Sequence, residues 1–444
     1  MSFLRRPGVW FPLAIAVLTA LGSEPLRDDR CVHLSERDRG SYGLRPVWQA
    51  RFDALSAVCG AGLLTYSIED DYTPAGRWVL TGLGLAGALL YLAAARQAAA
   101  PLWAASGTVL PRLRVIVAVF LGLQVACVVL AALVGRIAGG GGDVADAAQN
   151  AIAAFASLGW SHGRHGWGFA VVAFVGALGW PVWLAVGRRE LRSRALVATI
   201  CGYVVLLLIC AGLVAALEQP RGRTRAQLTG ATRLADQPAG TRFTRALTQV
   251  VTASGAGMQT EPLADRAVSE GTKVVLAGVV LIGGLGGSAG GGLKWPLFIT
   301  LFTPLTALVG RGKGSAPGEA ARKLFYCGSA LGGAFLGLAV LIALGALLIE
   351  VHIGSPHQSP PSFADALVDA SSSVAGAGLT TGVLASLTGA NLSRGIRQGV
   401  DLYQYGMAWF MLALFIGRIV PVVVLGRLAG VRFAEGPAPR PTLI

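Results

Sequence analysis

The chain has 444 residues, of which 54% are hydrophobic and 14% charged, and its formal net charge is +14. Its mean hydropathy of +0.61 excludes an ordinary soluble domain and indicates a membrane protein. On a soluble protein such a charge would suggest a nucleic-acid partner. Here the basic residues lie mainly in loops between apolar stretches, so we expect them at the lipid surface of a membrane and expect no nucleic acid.

Apolar stretches follow one another along most of the chain. Crossing the hydrocarbon core of a bilayer takes a helix of about 20 residues. The first stretch is short, and the sixth is long and interrupted by glycines. We interpret all eight as membrane spans, at residues 9–21, 77–95, 113–133, 168–186, 195–216, 274–308, 324–349 and 402–425.

Basic residues in the short loops predict the orientation of these spans. Residues 5–6, 96–114, 188–194 and 311–323 contain many basic and few acidic residues, so they are expected to face the cytoplasm, as are both termini. The opposite loops also contain arginine but mix it with acidic residues.

Residues 1–22 also have the pattern of a signal peptide. The repeat described next needs this segment as a first span.

Four short glycine-containing segments lie between consecutive pairs of spans. Their last glycines are 97, 98 and 121 residues apart, and a small-residue segment too short to span precedes each one. The alternative is chance recurrence in a chain with 61 glycines. We interpret the unit as span, half-helix, glycine turn and span. Four such units give an all-α polytopic membrane protein of pseudo-fourfold repeats, with predicted boundaries at residues 1–98, 99–190, 191–314 and 315–444.

The glycine turns are suited to passing a cation. Irregular backbone at membrane depth is tolerated only inside protein or along a water-filled cavity, so the turns are expected to share one axis. Glycine reaches positive φ without a clash, and a ring of carbonyl oxygens replaces the hydration shell of a monovalent cation. The negative C-terminal ends of the half-helices favour the same charge. The candidate filter residues are Cys59, Gly60, Ala61, Gly62, Ser157, Leu158, Gly159, Gly255, Ala256, Gly257, Gly376, Ala377 and Gly378.

The sequence resembles the Trk/Ktr/HKT superfamily of potassium and sodium transporters at these turns and in three further stretches. Residues 287–294 resemble the family's Gly-Ser-Thr-Ala-Gly-Gly-Ile-Lys loop, and residues 415–421 resemble its Gly-Arg-x-x-Pro segment. Residues 176–181 resemble its Gly-Gly-Leu-Gly-Phe-Pro segment. The resemblance covers nearly the whole chain and implies the ion-translocating membrane subunit of such a transporter.

A gate is expected beneath the turns. Each glycine in a helix costs about 1 kcal/mol relative to alanine, so residues 287–294 are predicted to break the sixth span, although close packing of small residues is an alternative. Arg418 lies inside the last predicted span, where an arginine costs about 2.5 to 3.5 kcal/mol of insertion free energy unless it faces a polar interior. We therefore expect it to face the interior of the protein, and the alternative is that its side chain snorkels to the membrane interface. The resemblance implies a gating loop and a barrier arginine. The candidate gate residues are Gly287, Ser288, Ala289, Gly290, Gly291, Gly292, Lys294 and Arg418.

The identity of the ion depends on the turn composition. The resemblance associates glycine in all four turns with potassium, and serine in the first turn with sodium. Gly62, Gly159, Gly257 and Gly378 are all present, which favours K⁺ bound by backbone carbonyls. Family members often have hydroxyl residues beside these glycines, where this chain mostly has alanine, leucine or glycine. Transport of Na⁺, non-selective transport and a non-conducting pseudo-transporter therefore stay open.

Two other functional classes are disfavoured. A transporter with inverted repeats would need an odd number of spans between turns. The sequence has no His-Glu-x-x-His motif and no Cys-x-x-Cys pair, so we expect no enzyme and no cofactor beyond the transported ion. His162 and His165 lack companion ligands for a metal.

The resemblance implies a homodimer in a bacterial inner membrane, regulated by a separate cytoplasmic nucleotide-binding ring protein.

Overall fold

The computed structural model describes residues 7–33, 45–105, 110–137, 144–160, 167–189, 194–218, 234–263, 267–300, 319–353, 361–383 and 400–429. Within these ranges the fold is all helical, apart from one isolated bridge between Val32 and Tyr72. The helices longer than one turn are α1 Pro7–Ser23, α2 Val47–Cys59, α3 Pro74–Ala105, α4 Leu113–Ile137, α5 Val144–Ala156, α6 Trp167–Ala177, α7 Gly179–Gly187, α8 Arg194–Leu217, α9 Ala239–Gly255, α10 Glu270–Ile282, α11 Trp295–Thr300, α12 Glu319–Ile353, α13 Phe363–Ala375 and α14 Val400–Ala429.

Six of the described helices are long and apolar enough to cross a membrane, namely α1, α3, α4, α8, α12 and α14. The prediction of an all-α polytopic membrane protein is confirmed. The predicted fourth span is not straight, because α6 and α7 meet at an angle of 85°. Gly179 has a φ of +73° at the bend, and Pro181 has no N–H to donate back along the helix.

The predicted sixth span is interrupted. Helix α10 ends at Ile282, Gly283 follows with a φ of +70°, and no helix begins again until Trp295. The break predicted at residues 287–294 therefore lies within a longer non-helical segment, residues 283–294, which we call the glycine loop. Residues 301–308 of the predicted span lie outside the described part of the chain.

Four shorter helices are each held between the two helices that flank them in the sequence. Helix α2 packs between α1 and α3, α5 between α4 and α6, α9 between α8 and α10, and α13 between α12 and α14. A 13-residue helix such as α2, α5 or α13 is about 20 Å long, too short to cross about 30 Å of hydrocarbon. The contacts therefore reproduce the unit of span, half-helix and span in the first and fourth repeats. In the second repeat the closing span is bent between α6 and α7, and in the third it is interrupted after α10.

These four units close into a ring. Successive units meet through α3 with α5, α6 with α9 and α10 with α13, and the last unit returns to the first through α14 with α2. The predicted boundary after residue 98 lies inside α3, which continues to Ala105. The other predicted boundaries fall outside the described ranges.

Cys31 is buried in the segment after α1, where only 7% of its surface is accessible. The Thr73 backbone N–H donates to its carbonyl oxygen over 3.0 Å, which ties this segment to the start of α3. The five cysteines whose side chains are described are all free thiols.

Candidate functional site

Three of the half-helices end in the same way. The residue after α2, α5 and α13 is left-handed, with a φ of +68° at Gly60, +57° at Ser157 and +63° at Gly376. The next backbone N–H donates five residues back into the helix, over 2.8 to 2.9 Å in each case. This is the Schellman closure, which satisfies a helix-terminal carbonyl. Helix α9 differs because it continues through Gly255 to a right-handed Ala256.

The four glycine turns meet backbone to backbone. A Cβ added to Gly62 would lie 2.5 Å from the carbonyl carbon of Gly159, and one on Gly257 would lie 2.6 Å from the Cα of Ala377. Both glycines, and Gly159 itself, have positive φ. Only glycine therefore fits these three positions, both because of the space and because of the backbone conformation.

The ring of turns is closed on its axis. The Gly159 N–H donates to the Ala256 carbonyl over 3.1 Å, and the Gly378 N–H donates to the Gly257 carbonyl over 2.8 Å. A Cβ on Gly378 would overlap the Gly159 carbonyl oxygen, although these residues belong to the second and fourth turns, on opposite sides of the ring. Gly378 also lies outside the left-handed region that the turn pattern predicts for it. A cation held by all four turns would need these backbones to separate.

The other candidate turn residues are buried around this contact. The Leu158 side chain packs against α3, at 2.8 Å from a Cβ position at Gly84, whereas the Ala377 methyl group faces the third turn, at 2.8 Å from a Cβ position at Gly257. Cys59, Ala61, Leu158, Ala256 and Ala377 are each at most 5% exposed. The groups available at the centre are therefore mainly backbone amides and carbonyls.

The glycine loop lies directly against two of the turns. A Cβ on Gly291 would overlap the carbonyl oxygen of Ala375, the last residue of α13. A Cβ on Gly290 would lie 2.9 Å from the Ser157 hydroxyl in the second turn. Gly287 touches the other side, where its Cβ would lie 2.6 Å from Pro181 in α7. The loop therefore fits between the half-helix ends and the bent helix pair, with no space for a side chain at Gly287, Gly290 or Gly291 unless a neighbour shifts.

Lys294 closes the glycine loop on itself. Its φ of +76° is unusual for a residue with a side chain, and it is only 9% exposed. The ammonium donates to the Ser288 hydroxyl over 2.9 Å and to the carbonyl of Gly290. The loop is thereby tied together at the residue where it returns to helix.

Arg418 reaches from α14 to the centre of the protein. It is 4% exposed, and its Nη2 donates to the Ala289 carbonyl in the glycine loop over 3.0 Å. The guanidinium lies 3.9 Å from the Tyr91 ring centroid, and its Nε and Nη1 have no hydrogen-bond partner. Among the residues that the structure describes, no carboxylate forms an ion pair with Arg418 or Lys294. Arg418 is inside the protein and does not snorkel to the surface.

Two contacts of this region were missed in the sequence. Tyr91 lies in α3 among leucines and alanines, and its sequence context indicates only a core aromatic. Gly179 and Trp180 at the bend contact the glycine loop, where the backbone N–H of Trp180 donates to the Gly287 carbonyl over 3.4 Å. The resemblance of residues 176–181 to a family segment was the available signal for the bend.

A polar cavity of about 380 Å³ opens above the turns, on the side away from the glycine loop. Gly62, Gly159 and Gly378 line it, together with Glu69 and Glu261. The Glu261 carboxylate pairs with Arg245 over 2.6 Å.

His162 and His165 lie outside the described residues. The described residues hold no cluster of three or more His, Cys, Asp or Glu suited to a metal.

Comparison with known proteins gives a structural match only. No model of a known protein family matches the sequence, and no curated protein matches it. The crystal structure of the potassium transporter TrkH from Vibrio parahaemolyticus superposes with a TM-score of 0.62 at 19% sequence identity. The match covers 94% of this chain and 83% of that one. The chain therefore has the TrkH-like fold of a polytopic membrane protein.

Proposed function

We propose that this protein carries a monovalent cation, most favourably K⁺, across a membrane through its ring of four glycine turns. The observation that supports this most is the meeting of all four turns at one axis, each behind a buried half-helix. The likeness to a potassium transporter favours cation transport over an enzymatic activity. Glycine at all four turns, Gly62, Gly159, Gly257 and Gly378, supports K⁺ over Na⁺ by the family resemblance.

The proposed path runs from the polar cavity, through the turns, to the glycine loop. Glu69 and Glu261 line the cavity, where carboxylates favour cations over anions, and Arg245 compensates the charge of Glu261. The backbone carbonyls of the turns replace the hydration shell of the ion. Below them, Lys294, Arg418 and the glycine loop close the path. Conduction therefore requires two movements, the separation of the turns and the displacement of the loop.

Flux through the purified protein tests this function. Liposomes containing the full chain are loaded with K⁺ or Na⁺, and the efflux of each ion is compared with that from empty liposomes. We expect K⁺ efflux above the control, and growth of a potassium-uptake-deficient bacterium that expresses the chain. Absence of both flux and growth rescue would refute cation transport.

A non-conducting pseudo-transporter of the same fold is the second candidate. It is supported by the contact between Gly159 and Gly378 across the ring and by the two hydrogen bonds between turns. A pseudo-transporter would show neither flux nor a K⁺-dependent rise in thermal stability. A transporter closed only in this conformation would show the rise in stability, because a bound ion stabilises the state that holds it.

The assembly and orientation are further parts of the proposal. We infer a homodimer in a bacterial inner membrane, with both termini in the cytoplasm and a cytoplasmic nucleotide-binding ring protein as regulator. Co-purification with a soluble ring protein and labelling of both termini from the cytoplasmic side are the expected results. Isolation only as a lone monomer, or labelling of a terminus from outside, would contradict these assignments.

A further inference from the structure

A buried polar side chain recurs at one position of three half-helices. Asp53 in α2, Gln249 in α9 and Asp369 in α13 are each at most 2% exposed. They lie eight or nine residues before the glycine of their own turn. Burial of a polar group at membrane depth is costly unless the group is hydrogen-bonded, so each side chain needs a local partner.

The partner is the same in all three repeats. Each side-chain oxygen reaches across the turn to the backbone N–H of the third residue after the glycine, and that residue is always a threonine. The donor–acceptor distances are 2.8 Å for Thr65 to Asp53, 2.8 Å for Thr260 to Gln249 and 2.6 Å for Thr381 to Asp369.

The threonine hydroxyl makes a second bond to the same side chain. The three hydroxyls donate to Asp53, Gln249 and Asp369 over 3.0, 2.9 and 3.1 Å respectively. Each contact therefore has two donors and closes a loop of 11 or 12 residues around the glycine turn. We call these contacts the struts. Asn150 is at the corresponding position of the second repeat, and the third residue after its glycine lies outside the described ranges.

The struts join the turns to rigid helices. On one side, the turn begins at the closed end of a half-helix. On the other side, the segment that leaves the turn is not helical, and the strut supplies hydrogen bonds to it. Thr260 also lines the polar cavity together with Gly62, Gly159 and Gly378. The strut therefore anchors the segment that leaves the turn to the half-helix that enters it.

We propose that Asp53, Gln249 and Asp369 are positioning residues that fix the spacing of the turn carbonyls and thereby discriminate K⁺ from Na⁺. This inference rests on the proposed cation transport. A ring of carbonyls selects an ion by its spacing and field strength, so a turn that is free to move loses selectivity before it loses conduction. The role is distinct from coordination, because these side chains contact the chain behind the turn and not the axis.

Gln249 is the best residue for the test. Asp53 is a poor choice because it forms an ion pair with Arg45, and both side chains are fully buried. Breaking such a pair destabilises a protein whatever its function. Gln249 has no charge, and its Nε2 has no hydrogen-bond partner. Removing its oxygen removes the strut and one further hydrogen bond, which the backbone N–H of Glu261 donates over 2.8 Å.

The experiment compares Gln249→Leu with Gln249→Glu in the full chain, reconstituted in liposomes. Leucine removes the acceptor, whereas glutamate keeps an oxygen there, as Asp369 does in the fourth repeat. We expect Gln249→Leu to lower the ratio of K⁺ to Na⁺ flux about tenfold, equivalent to about 1.4 kcal/mol. Gln249→Glu is expected to keep the ratio within about twofold of wild type. A loss of stability alone would lower both fluxes together and leave their ratio unchanged.

Two results separate this inference from the proposed function. Wild-type protein without cation flux overturns both together. Wild-type flux with an unchanged ratio in Gln249→Leu overturns the struts alone. If Gln249→Leu does not insert into membranes, Thr260→Val replaces it, because it deletes only the hydroxyl donor. Thr260→Val is then expected to lower the ratio about threefold, and an unchanged ratio there also overturns the inference.

Discussion

Replacing Arg418 with alanine tests the proposed barrier below the turns. The guanidinium Nη2 lies 3.7 Å from the Cβ position of Gly60, and Nη1 lies 3.8 Å from that of Gly376. These glycines follow the C-terminal ends of α2 and α13, where a cation on the proposed path would have to pass. Arg418→Ala removes the fixed charge and also the hydrogen bond to Ala289 in the glycine loop. Both changes are expected to raise cation flux.

The magnitude follows from the distance. A monovalent cation at the level of these glycines would be about 5 Å from the guanidinium, and at an effective dielectric constant of about 20 the repulsion is about 3 kcal/mol. Each 1.36 kcal/mol corresponds to a factor of about ten in rate, so removal of Arg418 could raise flux up to about two-hundredfold. Lys294 and the contacts between turns remain in the variant. We therefore expect a rise of at least about tenfold.

The assay is K⁺ efflux from liposomes at equal protein content. Arg418→Lys is the matched control, since it keeps the positive charge, and its flux is expected to stay close to wild type. Adding Lys294→Met to Arg418→Ala is expected to raise flux further. Unchanged or lower flux in correctly inserted Arg418→Ala would refute the barrier, because the repulsion at this distance would then have no effect on permeation.

Three further substitutions or measurements test separate parts of the site. Gly257→Val places a branched side chain at positive φ against the fourth turn, so it is expected to lower flux at least about tenfold. Its control is Gly278→Val in α10, which has open space around it and is expected to keep flux within about twofold. Gly291→Ala prevents the glycine loop from holding its position under α13, so flux is expected to rise, and Gly286→Ala, whose Cβ would meet only ordinary contact at 3.9 Å, is its control. Burial raises the pKa of the Cys31 thiol above its ordinary value, so alkylation at neutral pH is expected to be slow and to accelerate as pH rises, because only the thiolate reacts. Equal flux from either glycine variant and its control, or fast labelling of folded protein at pH 7, would contradict the corresponding contact.

Features that depend on the local cost of the backbone were predictable from the sequence. The glycine turns and the break in the sixth span both come from residues that a helix does not tolerate well, and the structure has irregular backbone at these places. Glycine at Gly60, Gly159 or Gly257 is informative by itself because no other residue fits a left-handed turn packed against backbone. This requirement for glycine can be recognised in the sequence without knowing which element packs against the turn.

Features that depend on contacts between distant elements were not predictable. Tyr91 and Arg418 are far apart in sequence, and nothing in either context indicates that their side chains meet. The bend at Gly179 was signalled only by the resemblance of residues 176–181 to a family segment, because Gly179 is otherwise one glycine among many in the spans. The struts were partly visible, since a threonine follows three of the turn glycines at the same interval. The interval acquires meaning only when the buried acceptor on the half-helix is known.

The glycine loop and the turns are linked by the contacts they share. The loop touches Ser157 and Ala375, which belong to the second and fourth repeats. These are the same two repeats whose turns close the axis through Gly159 and Gly378. A loop that moves away therefore removes support from the two turns that must separate for a cation to pass in the proposed transport. One displacement would then relieve both closures, which explains why Gly291→Ala, a change in the loop alone, is expected to affect permeation through the turns.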